Sequence, residues 1–107
     1  MPNLLPGQAL ALATLVEYAA GSIVSKTLVD REKGTVTLFA FDAGQRLSEH
    51  SAPFDALVIV VDGQARITVG GDPVQVSAEH MILLPAGVPH SVEAEEPFKM
   101  LLIMIRS

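Results

Sequence analysis

The sequence predicts an all-β sandwich or barrel built from about nine short strands. Three observations carry that expectation. Short segments rich in Val, Ile, Thr and Phe recur at regular spacing along the chain. Clusters of Gly, Asp and Pro stand between them as turn signals. No segment has a helical period long enough to cover the strands that are apolar on both faces, so sheet has to cover sheet.

At 107 residues and 11.3 kDa the chain is expected to form one domain over 1–107, with 1–21 as an N-terminal extension packing on the main body or on a dimer partner. MPNLLPG carries two prolines and a glycine and reads as irregular or extended. ALALATL, which follows it, suits either a short helix or a pairing strand. SIVSKTLVD at 22–30 alternates like a strand, Asp30–Gly34 marks a hairpin, and TVTLFAF at 35–41 returns. After a turn at Asp42–Gly44, residues 45–50 form a short polar strand on which Arg46, Ser48 and His50 share one face and Leu47 and Glu49 the other.

Pro53 removes a backbone donor and makes 51–55 a loop before ALVIVV at 56–61, which is apolar on both faces. Asp62-Gly63 reads as a hairpin turn with ARITV as its return strand, and Gly70–Pro73 as the next turn. VQVS at 74–77 and HMILL at 80–84 continue the series. PAGVP at 85–89 is a stiffened loop. HSVEAE at 90–95 places His90 with Val92 and Ala94 on the inward face. KMLLIMI at 99–105 is again apolar on both faces, which in so small a protein predicts burial at a subunit interface.

Composition narrows the function classes. Seven Lys plus Arg against twelve Asp plus Glu give a net charge of −5, and no local basic patch breaks it, so nucleic acid is excluded as a partner. With no cysteine there is no disulfide, thiolate metal site or cysteine nucleophile. The apolar run at Leu10–Val16 is short, carries Thr14 and ends at Glu17, so neither a membrane span nor a leader is expected, and a cytoplasmic location is the default. Phosphate-binding glycine loops, dinucleotide fingerprints and nucleophile–base pairs are missing.

The chemistry available lies in three histidines and their neighbours. His50 and His90 each follow a turn and are the pair expected to converge; imidazole nitrogens suit Zn, Fe, Ni, Mn or Cu, and two of them need further ligands to hold a divalent ion well. His80 starts its strand and is expected at the periphery. Asp55, beyond the Pro53 loop, is the nearby carboxylate that could join as ligand or proton carrier, with loop capping as its structural alternative; Glu49 should face away. Arg46, Ser48 and Gln64 are further polar residues that a cavity could receive, each more at home as a strand or turn residue on the surface.

Gly44, five residues, His50 and then Gly63, with Pro85, Gly87 and His90 later, resemble the two motifs of the cupin superfamily, specifically its small single-domain bacterial members. The first motif's second histidine falls on Ala52 and its glutamate on Ala56, or on Leu57 with a longer loop. The second motif's opening glycine falls on Glu79 and its closing asparagine on Ala94. The resemblance covers roughly residues 35–105. It implies a double-stranded β-helix barrel, commonly dimeric, with a ligand cavity inside, and a metal-binding motif that retains His50 and His90 and lacks two ligands. It leaves open a small-molecule-binding protein with a divalent metal, a metal-dependent dioxygenase or isomerase acting on a small organic acid or sugar derivative, and a non-catalytic sensor or structural module. A homodimer is expected in each case.

Overall fold

The structure is a computed structural model that describes residues 6–106; the part of the N-terminal extension at 1–5 lies outside the described residues. It contains nine strands: β1 (Ile23–Arg31), β2 (Gly34–Phe41), β3 (Arg46–His50), β4 (Asp55–Asp62), β5 (Gln64–Val69), β6 (Asp72–Ser77), β7 (Met81–Leu84), β8 (His90–Glu93) and β9 (Phe98–Ile105). They form two sheets, one of order β1-β2-β9-β4-β7 and one of order β3-β8-β5-β6. Every neighbouring pair is antiparallel.

Period-two alternation directs one side of each strand into the space between the sheets. Phe41, Val58, Val60, Ala65, Ile67 and Phe98 are fully buried there. Phe41 and Phe98 are register partners on β2 and β9 and stack with ring centroids 4.6 Å apart and planes 14° from parallel. Such an aromatic pair adds about 0.5–1.5 kcal/mol to the area it removes from water.

Asp62-Gly63 does not close the hairpin expected from the sequence. Both edges of β4 are occupied, one by β9 and the other by β7, so β5 has no edge of β4 to join. Instead Gly63 is a corner at which the chain leaves the five-stranded sheet and enters the four-stranded one. Its φ is +72°, and a Cβ built there would collide with the Pro97 carbonyl and crowd Phe98. True two-residue hairpins occur at Glu32-Lys33 and at Gly70-Gly71; in the latter both glycines have positive φ, as a type I′ turn requires. Pro73 is accommodated because β6 is an edge strand.

The outer face of the five-stranded sheet is apolar too, and a strap at 11–18 covers part of it. The strap contains one 3-10 turn, Leu12–Thr14, and Leu12, Leu15 and Val16 pack on Val24, Leu28, Leu38, Ala40 and Leu101. Two contacts latch it. Lys99 Nζ donates to the Ala13 carbonyl at 2.6 Å and stands 4.9 Å from the Tyr18 ring centre, and Tyr18 Oη donates to Asp62 Oδ2 at 2.5 Å. Beyond the strap the same face leaves Leu57, Ile59 and Ile103 half-buried and Met81, Leu83 and Ile105 more than half exposed. Register places these six side by side, Leu57 between Leu83 and Ile103, and Ile59 beside Met81.

Candidate functional site

One irregularity builds the site. Leu47 pairs with Val92 and His50 pairs with His90, so Ser48 and Glu49 on β3 stand opposite Ser91 alone on β8. This one-residue bulge resets the alternation and turns His50 to the side of Leu47 and His90. The sequence-based assignment of His50 to the face of Arg46 and Ser48 is therefore corrected: a regular strand would have put Glu49 opposite His90.

His90 enters from the 85–89 loop, which is fixed at three points. Gly87 N donates to the Ala52 carbonyl at 2.8 Å, Gly70 N donates to the Pro89 carbonyl at 2.8 Å, and Ala86 N donates to Asp55 Oδ1 at 2.9 Å. Gly87 has φ +78°, which lets the loop fold back on Ala52 without strain.

The two imidazoles meet at their Nε2 atoms, 3.2 Å apart, with ring centroids 4.4 Å apart and planes 72° to each other. Each Nδ1 faces a backbone carbonyl, Ser48 O at 2.9 Å for His50 and Val88 O at 3.2 Å for His90. A carbonyl oxygen only accepts, so each Nδ1 carries the hydrogen and donates. With both rings neutral, each Nε2 then presents a lone pair to the other. Two lone pairs at this distance repel unless a cation or a shared proton lies at the pair. Burial lowers the pKa of His90 below its ordinary value, repulsion from a charged His50 lowers it further, and the Val88 carbonyl opposes both. His90 thus offers an unprotonated nitrogen at neutral pH.

Asp55 is not brought to this pair. It starts β4 on the outward side, opposite Ile105, and its Oδ1 caps the loop at Ala86. Among the described residues no group of three or more His, Cys, Asp or Glu side chains is arranged to hold a metal ion. His80 precedes β7 in an exposed turn with its Nδ1 against the Ala78 carbonyl at 3.1 Å. Arg46 and Ser48 lie with Glu49, Ser91 and Glu93 in a shallow groove on the outer face of the four-stranded sheet. Gln64 begins β5 opposite Ser77, on the side away from buried Ala65.

The motif positions that depart from the cupin pattern have structural roles. Ala56 is buried between Leu84 and Met104 on the inward face. Ala94 is buried, and its backbone exchanges hydrogen bonds with Gly44 and Gln45 at 2.7 and 2.9 Å. Glu79 adopts φ +69°, the one non-glycine residue with positive φ among those described, at the place where the motif has glycine.

Around the histidines the sandwich is open. Phe39, Leu47, Val69, Leu102 and Met104 face inward and pack on the core, yet each is only partly buried. On one side a row runs His50, His90, Val69, Asp72 across β3, β8, β5 and β6. On the other, Asp30, Thr35, Met104, Ala56 and Leu84 form a row across β1, β2, β9, β4 and β7. Phe39, Met104, Asp30 and Asp72 did not stand out in the sequence, because nothing local signals which sheet each strand joins.

Known proteins agree with this architecture. The cupin domain model matches residues 37–105. A conserved protein of unknown function from Streptococcus pyogenes is 35% identical, with a TM-score of 0.93 over 98% of this chain and 92% of its own. A cupin 2 conserved barrel domain protein from Leptotrichia buccalis is 48% identical, with a TM-score of 0.86 over 89% of this chain and 46% of its own. An uncharacterized protein of Streptomyces coelicolor is 41% identical over 56 residues, 52% of this chain, and the match spans only 53% of that relative's length. The agreement in fold and the extent of the family match mean that the chain belongs to the cupin superfamily.

Proposed function

We propose that this cupin binds a small molecule in the open end of the sandwich, and that His50 and His90 hold a divalent metal ion there through their Nε2 atoms. The observation that carries the reading is the pair of lone-pair-bearing Nε2 atoms 3.2 Å apart, each oriented by an Nδ1–H donated to a backbone carbonyl. Metal-bound histidines fix their tautomer by the same donation from the nitrogen that does not meet the metal. The spacing fits too: at metal–nitrogen bonds of about 2.0–2.1 Å, neighbouring ligands stand about 2.9 Å apart at right angles and about 3.4 Å apart at tetrahedral angles.

Two histidines leave the remaining positions to water or to the ligand itself. A bound ion would polarise a ligand oxygen. The chain's own contribution is to hold both rings, one by the bulge and the other by the capped loop.

Metal analysis of protein purified without a nickel column tests this reading, with His50→Ala and His90→Ala treated in parallel. Wild type should retain metal and both variants should lose it. Equal content in all three overturns it.

The same proposal includes a homodimer through the uncovered half of the outer sheet face. Leu57, Ile59, Met81, Leu83, Ile103 and Ile105 form an apolar surface with Asp55 at its edge beside Ile105, and a second copy related by a twofold axis offers the same surface in return.

A further inference from the structure

We infer that the metal-free site favours an uncharged or cationic molecule with a largely apolar body, and that organic anions are disfavoured by the protein's own residues. The inference rests on reading the open end as a ligand site and adds the charge of what enters.

It follows from where the cations are. All seven Lys and Arg lie among the described residues, and none occupies an inward position within a strand. Lys26 pairs with Leu38 and Lys99 with Ala40, both on the strap-covered outer face. Arg46 and Arg66 flank Glu93 on the outer face of the four-stranded sheet. Arg31 and Lys33 belong to the β1–β2 hairpin, and Arg106, just past the end of β9 on the side of Met104, is engaged over Phe54 with its Nη1 donating to the Arg31 carbonyl.

The charged residues that do fall on inward positions are both acidic. Asp72 ends the row that contains the two histidines, and Asp30 ends a row of the other sheet; both are exposed. The inward surface offers Phe39, Leu102, Met104, Leu47 and Val69, with hydroxyls from Thr35 and Thr37. A carboxylate or phosphate entering here would leave water without a cationic partner, past two like charges. A neutral amide or phenol would keep hydrogen bonds to the threonines and histidines while its ring packs on the apolar inward side chains. An amidinium or ammonium group would in addition be attracted by Asp30 and Asp72.

Benzamide, benzoate and benzamidine share one shape and differ in charge, and they make a direct test. Each is titrated into protein stripped of metal by EDTA, following the NMR signals of the Met104 methyl group and of the two imidazoles. Benzamide and benzamidine should shift all three, and benzoate should bind about tenfold more weakly or worse. Thr37→Lys, which adds a cation on the inward face, should raise the affinity for benzoate relative to benzamide. Benzoate binding as tightly as benzamide to the unmodified protein overturns the inference. So does the absence of any shift from all three probes up to their solubility limits. Failure of the metal reading shows separately, in the metal content of His50→Ala, and leaves the charge preference of the metal-free protein standing.

Discussion

The Asp55 carboxylate accepts a hydrogen bond from the Ala86 amide at 2.9 Å, so the first residue of β4 holds the loop that delivers His90. Asp55→Ala leaves that amide without its partner and should lower stability by about 1 kcal/mol in urea unfolding. Asp55→Asn keeps an acceptor oxygen and should retain most of both stability and metal affinity. A metal affinity abolished by the asparagine variant would instead make Asp55 a ligand.

Gly63 and Gly71 both have positive φ, but their surroundings differ. Gly71 faces open space, and Gly71→Ala should cost about 1 kcal/mol from backbone strain alone. Gly63→Ala adds a clash with the Pro97 carbonyl backbone and should cost about 3 kcal/mol or more, read from the denaturation midpoint.

Glu79 carries the opposite prediction. Its φ of +69° is held by the Glu79 N–H donating to the Val60 carbonyl at 2.7 Å and by the turn that follows. Glu79→Gly relieves the side-chain strain and loosens the unfolded chain at once. The net effect should be neutral to stabilising by up to about 1 kcal/mol, where the same substitution inside a strand would destabilise.

Tyr18 gives the fold a dependence on alkaline pH. Burial, then the hydrogen bond to Asp62 and the carboxylates of Asp62 and Glu96, raise its phenol well above its ordinary value of 10.0. The protonated form is favoured in the folded state, so its contribution is fully present below pH 10 and declines as pH rises above it, where only the unfolded chain readily loses the proton. Tyr18→Phe should be less stable than wild type at pH 8 and should lose less between pH 9 and 11. Parallel stability curves for the two proteins would remove Tyr18 as the source.

Met81 and Leu83 are both more than half exposed on the uncovered face, on a short edge strand. In the dimer proposal, Leu83→Lys with Met81→Lys should convert a two-chain mass at micromolar concentration to a one-chain mass in light scattering, with the thermal transition still cooperative. A wild-type protein that is already monomeric there rules the dimer out.

Much of the fold was legible because alternation and turn residues act locally. TVTLFAF, ALVIVV and KMLLIMI are strands in the structure within a residue or two of their expected limits, and Gly70-Gly71 forms the hairpin its composition demands. Pairing was less legible. Asp62-Gly63 has hairpin chemistry, yet the partner of β4 is decided by β7 and β9, which lie later in the chain. The site was half legible for the same reason. His90 follows simple alternation from Val92 and Ala94, whereas the orientation of His50 depends on a bulge opposite Ser91 that no residue type in RLSEH announces. Asp55 was a reasonable ligand by proximity in sequence, but it points along the outward side of β4 and meets a backbone amide first.

The strap over the outer sheet is joined to the rest of the molecule differently from the strands. Its backbone hydrogen bonds at Thr14 and Leu15 close on its own residues Ala11 and Leu12, and its latches are single side-chain contacts at Lys99 and Tyr18. No ladder has to break for it to lift. It should therefore behave as a separate low-energy opening unit in hydrogen exchange, its amides exchanging well before those of β2 and β9. Each such opening uncovers Leu38 and Ala40, which are otherwise inaccessible to solvent, and for that moment the sticky area of the outer sheet is enlarged. The opening rate of an eight-residue segment would then set how often the native protein meets its neighbours as an aggregation-prone species.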